Sequence, residues 1–369
     1  MYTVDDVINR NPIKWNGGRL KAPRYNPPIE LISSQELYRG RVALAVEQMA
    51  RHMTDEGWQL MLGLEARGYL LAGHKCTVNS TDVVGILEET KPHTVVVQDK
   101  REWDYLEGGF REKEYQFHNV EVLKDRDDLF KLTILKDSQQ RPKYHLKSAE
   151  EMGVNAWIVY YHPRIVAHLA PYTRPEHLIR TYHTVRPERV PTYSPLRLDK
   201  ALLSGATGSV YPVRTTLVNK KKRNPNSLKC IEYLPHPGYH AKGTDTDNYL
   251  KTLSRYKVAI CTASIYGYAL RKLIEATACG CRVITDLPSD EILPGIDENL
   301  VRITPTTSLE TIVGIVEQEI KSYDPDRQER LAERAKDTYD YRRVGAKLVS
   351  DIEALRRSYN NVPSLSSVV

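Results

Sequence analysis

The residues best suited to chemistry lie in Ser264 to Pro288, SIYGYALRKLIEATACGCRVITDLP. Arg271, Lys272 and Glu275 stand there inside a run that is otherwise apolar or small. The spacing predicts a helix opening at about Gly267 to Ala269 and stopping at Gly280, with a β-branched strand after it. The first amide groups of a helix lack partners and carry partial positive charge, which suits a diphosphate. Arg271 and Lys272 add charge in the first turns. Glu275 follows one to two turns later, and its carboxylate can accept hydrogen bonds from the cis hydroxyls of a ribose. The competing reading is that Glu275 pairs with Arg271 at i, i+4 on a wet surface. The apolar neighbours Leu270, Leu273, Ile274, Ala276 and Ala278 leave little room for a wholly exposed face.

Other candidates sit just past predicted strands. In an open parallel sheet the loops after the strands line the ligand crevice. Gly205-Ala206-Thr207-Gly208 lets the backbone approach a phosphate closely, and Arg214 follows with a guanidinium suited to bidentate phosphate binding. His236 and Gly238 fall in the loop after KCIEYLP, and Tyr266, Gly267, Tyr268 and Ala269 in the loop after KVAICTA. Asp99 and Asp137 end two strands of the first half, and either can serve as general base toward an acceptor hydroxyl. Each can equally be a loop carboxylate paired with Lys100, Arg101 or Lys136. His162 and His183 are further candidates, read first as structural histidines. Asp245-Thr246-Asp247 has the look of a metal-binding pair but opens a helix, and capping explains it better. No metal site is expected.

Positioning these residues requires alternating helices and buried strands. STDVVGILEETKP, HTVVVQ, LFKLTILKD, SAEEMGV and AWIVYYH read as helix, strand, strand, helix and strand. SSQELYRGRVALAVEQMARHMTDEG, residues 33–57, has helical spacing. The pattern restarts after the proline-rich joint PERVPTYSP with KALLSGATGSVYPVR, KCIEYLPHPGYH, TDNYLKTLSRY and KVAICTA, and three helices close the chain. The expected fold is α/β, two facing Rossmann-like domains with an interdomain cleft. The expected boundaries are an irregular arm over 1–35, a first domain over 36–190, a second over 196–340, a C-terminal helix over 341–358 packing back on the first domain, and a flexible tail over 359–369.

The totals narrow the class. The chain has 369 residues, 41% hydrophobic and 27% charged, which is enough for two globular domains. Mean hydropathy is −0.49, and no apolar run reaches the length of a membrane span. The first residues lack the apolar core of a secretory signal. Five cysteines at irregular spacing suggest neither a disulfide framework nor a zinc site, and a cytoplasmic location is expected. The net charge of +6 permits a polyanionic partner, and NKKKRN, residues 219–224, reads as a solvated basic loop.

These motifs resemble a known family. RKLIEATACGCRVITD is similar to the donor-domain helix of GT-B-fold glycosyltransferases, an EAxAcG-type element found in retaining members. ENLVRITPTTSLETIVGIVEQEIKSYDPDRQERLAERAKDTYDYRRVGAKLVSDIEAL resembles the family's strand-and-helices ending. The resemblance covers about Lys200 to Leu355, and the first half only by architecture. It implies that Glu275 holds a donor ribose. It places the diphosphate on Arg214, the glycine loop and Tyr266 to Arg271, and the base beside His236 to Tyr239. Many retaining members carry a further glutamate eight residues before the ribose glutamate, where this chain has Gly267, so sugar identity and stereochemistry stay open. A narrower resemblance, to bacteriophage DNA β-glucosyltransferases, places a catalytic aspartate at Asp137. The implied activity is metal-independent transfer of a sugar from a nucleotide diphosphate sugar, a UDP-sugar first among donors, to a hydroxyl acceptor. No permanently bound cofactor is expected. The acceptor is open, with 5-hydroxymethylated DNA as one alternative. A sugar-nucleotide epimerase and a non-catalytic nucleic-acid-binding protein are the rival classes.

Overall fold

The computed structural model describes residues 42–45, 83–90, 93–98, 103–106, 109–112, 120–135, 149–162, 177–236 and 246–359. The chain divides into two compact units, with the passage between them at 181/182.

In the first unit the strands are β1 (Val42–Ala45), β2 (Thr94–Gln98), β3 (Trp103–Leu106), β4 (Gly109–Glu112), β5 (Phe130–Leu135), β6 (Ala156–Val159) and β7 (Leu178–Arg180). Helix α1 (Val83–Thr90) precedes β2. Five strands form a parallel sheet in the order β1-β2-β5-β6-β7. Every residue of β5 and β6 is buried, as expected of parallel strands covered on both faces. The buried charge in β5, Lys131, turns its ammonium to the Leu123 carbonyl at 2.8 Å. Burial pulls its pKa down.

The second unit repeats the plan with β8 (Leu198–Gly205), α2 (Pro212–Arg223), β9 (Ile231–Pro235), α3 (Thr246–Leu253), β10 (Tyr256–Ile260), α4 (Arg271–Ala278), β11 (Arg282–Thr285), β12 (Leu300–Arg302), α5 (Leu309–Lys321), α6 (Pro325–Thr338) and the start of α7 (Tyr341–Tyr359). All pairings are parallel, in the order β12-β11-β10-β8-β9. α2 and α5 share one apolar core with one face of the sheet. α3, α4 and α6 share a second core. The strand order reverses between β8 and β10, so a crevice opens beyond the C-terminal ends of those two strands.

Local chemistry sets the ends of these elements. Ser308 caps α5 by accepting from the Thr311 amide, and Asp324 caps α6 by accepting from the Arg327 amide, with Pro325 at its first position. α4 stops at Gly280, whose φ of 81° suits glycine, and a Cβ there would lie 2.6 Å from Arg197 Nη2. The thiols of Cys279 and Cys281 sit beneath this turn and donate to the carbonyls of Leu250 and Leu253. Burial pushes both up, Cys281 to about 12, so they behave as packing residues. From Val344 onward α7 belongs to the first unit, where the Tyr359 ring meets Phe130 edge-on at 5.4 Å.

Three local expectations change. The helix predicted over 33–57 contains strand β1, which pairs with β2 from Val42↔Thr94 to Ala45↔Val97; a four-residue apolar run carries no helical or strand period of its own. The segment NKKKRN is the last turn of α2 rather than a loop, anchored by buried Leu217 and Val218. α4 begins at Arg271, four residues later than the earliest predicted start, because extended Leu270 precedes it. β3 and β4 form an antiparallel hairpin, an element not among the expectations from sequence. The arm over 1–35, Cys76 and the tail after Tyr359 lie outside the described residues.

Candidate functional site

The C-terminal ends of β8 and β10 carry the site. β8 ends at Gly205, whose φ is 114°. A Cβ at this position would lie 2.2 Å from Lys272 Nζ and 2.7 Å from Arg214 Nη1. Two cations therefore converge on one glycine, and its positive φ disfavours any other residue there. Lys272 reaches it from the first turn of α4 and donates to the Ser204 carbonyl at 3.0 Å. Arg214 reaches it from the first turn of α2. It donates to the Ala206 carbonyl at 2.8 Å, to Thr262 Oγ1 at 3.1 Å and to the Thr262 carbonyl at 3.2 Å. Its guanidinium also lies 4.2 Å from the centroid of the Tyr211 ring.

Arg214 is buried and Lys272 half-buried, each at a cost. Desolvation lowers the pKa of Arg214, although arginine stays charged at any ordinary pH. Desolvation, and then Arg214 nearby, pull Lys272 down to about 8. Two like charges held together away from water make a site that an anion would relieve. Beside them, the exposed backbone of residues 206–209 is fixed to α2 through Thr215, whose Oγ1 accepts from the Gly208 amide at 2.8 Å.

Glu275 lies one turn beyond Lys272. Its Oε1 is 2.8 Å from Arg271 Nε. The side chains of Arg271 and Glu275 are 14% and 7% exposed. The i, i+4 pair thus forms, but within the protein rather than on the wet surface that the pairing alternative supposed. Tyr249, between Ser204 and Lys272, donates to or accepts from Ser204 Oγ at 2.9 Å. Asp286, at the end of β11, accepts from the Ala263 amide at 2.5 Å and is pushed up to about 6 by burial.

Of the predicted residues, the structure brings Gly205, Arg214, Arg271 and Glu275 to one end of one sheet. Tyr266, Gly267, Tyr268 and Ala269 form the loop between β10 and α4, where the rings of Tyr266 and Tyr268 stack at 5.6 Å. His236 follows β9 and is half-buried. Gly238, Asp99 and Asp137 lie outside the described residues. His183 is buried and His162 half-buried. The sequence treated Lys272 as an accessory charge; the structure gives it the closest approach to Gly205. Its position one residue after Arg271 points it to β8 while Arg271 turns toward Glu275, a distinction that only the docking of α4 makes. Tyr249 and Asp286 gave no sequence signal beyond lying near a strand or helix end. Among the described residues no group of three or more His, Cys, Asp or Glu side chains could hold a metal ion.

No protein-family model matches the chain, and no curated protein matches it. Solved structures do. Sucrose-phosphate synthase of Thermosynechococcus elongatus is similar with a TM-score of 0.56 at 11% identity, covering 87% of this chain and 100% of that one. HepE of Anabaena in complex with UDP is similar with a TM-score of 0.53 at 11% identity, covering 85% and 100%. A glycosyltransferase of Rickettsia africae follows at 0.52 and 12% identity, covering 88% and 100%. The chain has the mixed α/β fold of GT-B glycosyltransferases, with two Rossmann-like domains.

Proposed function

We propose that this protein is a glycosyltransferase that takes its sugar from a nucleotide diphosphate sugar, a UDP-sugar first among the candidates, and passes it to a hydroxyl acceptor. The observation that carries the reading is the pair of cations, half-buried Lys272 and buried Arg214, closing on Gly205 at the switch point of a parallel sheet. A diphosphate is the ligand that such a site stabilises most. As the glycosyl–oxygen bond breaks, negative charge grows on the leaving diphosphate, and preorganised cations lower that barrier without requiring a bound metal. Arg214 acts there mainly as fixed charge, because three of its N–H groups already hold the loops of Ala206 and Thr262.

Glu275 takes the ribose in this reading. Arg271 occupies Oε1 and fixes the carboxylate's direction, and Oε2 is the atom assigned to a ribose hydroxyl. Tyr266 to Ala269 and the loop from His236 through Gly238 border the nucleotide. Asp137, before Asp99, deprotonates the acceptor if the reaction inverts. The likeness to HepE in complex with UDP supports the choice of nucleotide, as does a second HepE structure with UDP-glucose at a TM-score of 0.50. A cytoplasmic enzyme is consistent with the sequence; among the described residues no helix is long and apolar enough to cross a membrane. The acceptor reading stays broad. Hydroxymethylated DNA is retained as one candidate on the basic charge of the chain.

The test is thermal stability against a panel of nucleotides and nucleotide sugars, followed by product analysis with the stabilising donor. Ligand at about 100 times its dissociation constant adds roughly 2.7 kcal/mol. A shift given by UDP and UDP-sugars but not by UMP supports the diphosphate site. The absence of any shift removes the reading. A product that is an altered nucleotide sugar, formed without acceptor, identifies the epimerase rival instead.

A further inference from the structure

We infer that the N-terminal end of the second unit's sheet is a docking surface for an anionic lipid bilayer. Between Asp199 and Glu232 the chain contains no acidic residue. α2 lies in that span and ends in Lys220-Lys221-Lys222-Arg223. Lys220, Lys222, Arg223 and Lys229 are exposed on the approach to β9, and Lys251 and Arg255 are exposed on the approach to β10. Because all strands of this sheet run parallel, these six cations gather at the end where the strands begin. The anion site lies at the other end, where β8 finishes.

The carboxylates at this end are mostly neutralised by other groups. Asp199 pairs with Lys257 at 2.5 Å, and Glu232 is held by Lys200 and Tyr256. Glu317, exposed near Cys230, offsets part of the field. Complementing helix dipoles accounts for basic residues in a last turn. It does not account for cations spread over two helices and the leads into two strands.

Apolar groups separate lipid from nucleic acid as the partner. Leu196 is 88% exposed and Leu198 36% exposed, at the start of β8. The Leu198 amide donates to the Arg255 carbonyl at 2.7 Å, so the leucines lie beside the cations. A field of lysine and arginine with protruding leucines matches lipid headgroups above an acyl layer. Single-stranded nucleic acid calls for exposed aromatic platforms, and the large hydrophobic residues exposed among the described ones are all aliphatic. Docked in this way, the anion site of the second unit faces away from the bilayer. The surface is a tether and takes no part in sugar transfer.

The test is co-sedimentation of the full chain with vesicles of phosphatidylcholine alone or mixed with phosphatidylserine, with a DNA duplex in parallel. Phosphatidylserine vesicles should bind the wild type, and salt should release it. Each cation removed should cost about fivefold in affinity, so Lys220→Ala/Lys222→Ala/Arg223→Ala should lose about a hundredfold. Leu196→Ser should weaken vesicle binding further while leaving the fold intact, since the side chain is in water. Equal binding to both vesicle types, or none, overturns the inference. Duplex binding that falls in the triple variant, ignores Leu196→Ser and has no vesicle counterpart assigns the surface to nucleic acid and overturns it equally.

Discussion

Replacing Glu275 separates two roles that a single measurement would merge. In Glu275→Ala the Arg271 guanidinium loses the carboxylate 2.8 Å away while remaining 14% exposed. Removing one member of a buried pair costs about 3–5 kcal/mol, because the other is left charged and dry. The variant should therefore be less stable before any ligand is added. Arg271→Met/Glu275→Ala removes both charges and should recover most of that loss. Urea unfolding of the wild type, both single variants and the double variant gives the coupling directly. The same four proteins are then heated with UDP. If Glu275 holds the ribose, the double variant is stable but gains less from UDP, by about 1.5–3 kcal/mol for a lost charged hydrogen bond. If the double variant gains as much as the wild type, Glu275 is a pairing residue and the ribose assignment is wrong. If Glu275→Ala costs under about 1 kcal/mol, well below the range for a buried pair, the burial argument itself fails.

Other outcomes follow from the same site. Lys272 falls from its ordinary 10.5 to about 8, so the unfolded chain binds the extra proton between those values. Stability should accordingly rise as pH climbs from about 8 to about 10.5, by about 3 kcal/mol from this group. UDP affinity should fall over the same rise, and Lys272→Met should raise stability at neutral pH while abolishing the UDP shift; calorimetry across pH checks both. Gly205→Ala should lose the UDP shift and about 1–3 kcal/mol of stability through backbone strain at positive φ, measured by thermal and urea unfolding. Asp286, pushed up to about 6, holds its proton more tightly when folded, so its charge weakens the fold as pH rises from about 4 to about 6. Asp286→Asn keeps an acceptor for the Ala263 amide and should stabilise the protein above that range, seen in urea midpoints at acidic and neutral pH.

How far the sequence could be read depends on where each signal resides. β5, β6 and β10 announce themselves, since a strand covered on both faces is a nearly continuous apolar run, broken here only by Lys131 and Thr133 in β5 and Lys257 in β10, and that pattern is local. The same holds for α5 and α6, where Ser308 and Asp324 mark the starts and the helical period marks the buried face. β1 is different. Val42–Ala45 is a strand because β2 offers it partners, and nothing within residues 33–57 states that. The hairpin of β3 and β4 is likewise a matter of pairing, from Trp103↔Glu112 to Leu106↔Gly109. The site divides in the same way. Gly205, Arg214 and Glu275 are visible because special residue types follow strands or interrupt an apolar helix. The division of work between Arg271 and Lys272 is not visible. They are neighbours of similar charge, and a helix turns successive residues about 100° apart. Once Leu273 and Ile274 dock α4 on the sheet, one of the two must face β8 and the other must face away from it. The core residues thus decide which cation meets Gly205 and which meets Glu275, and the charge on the anion site is set by packing that lies outside it.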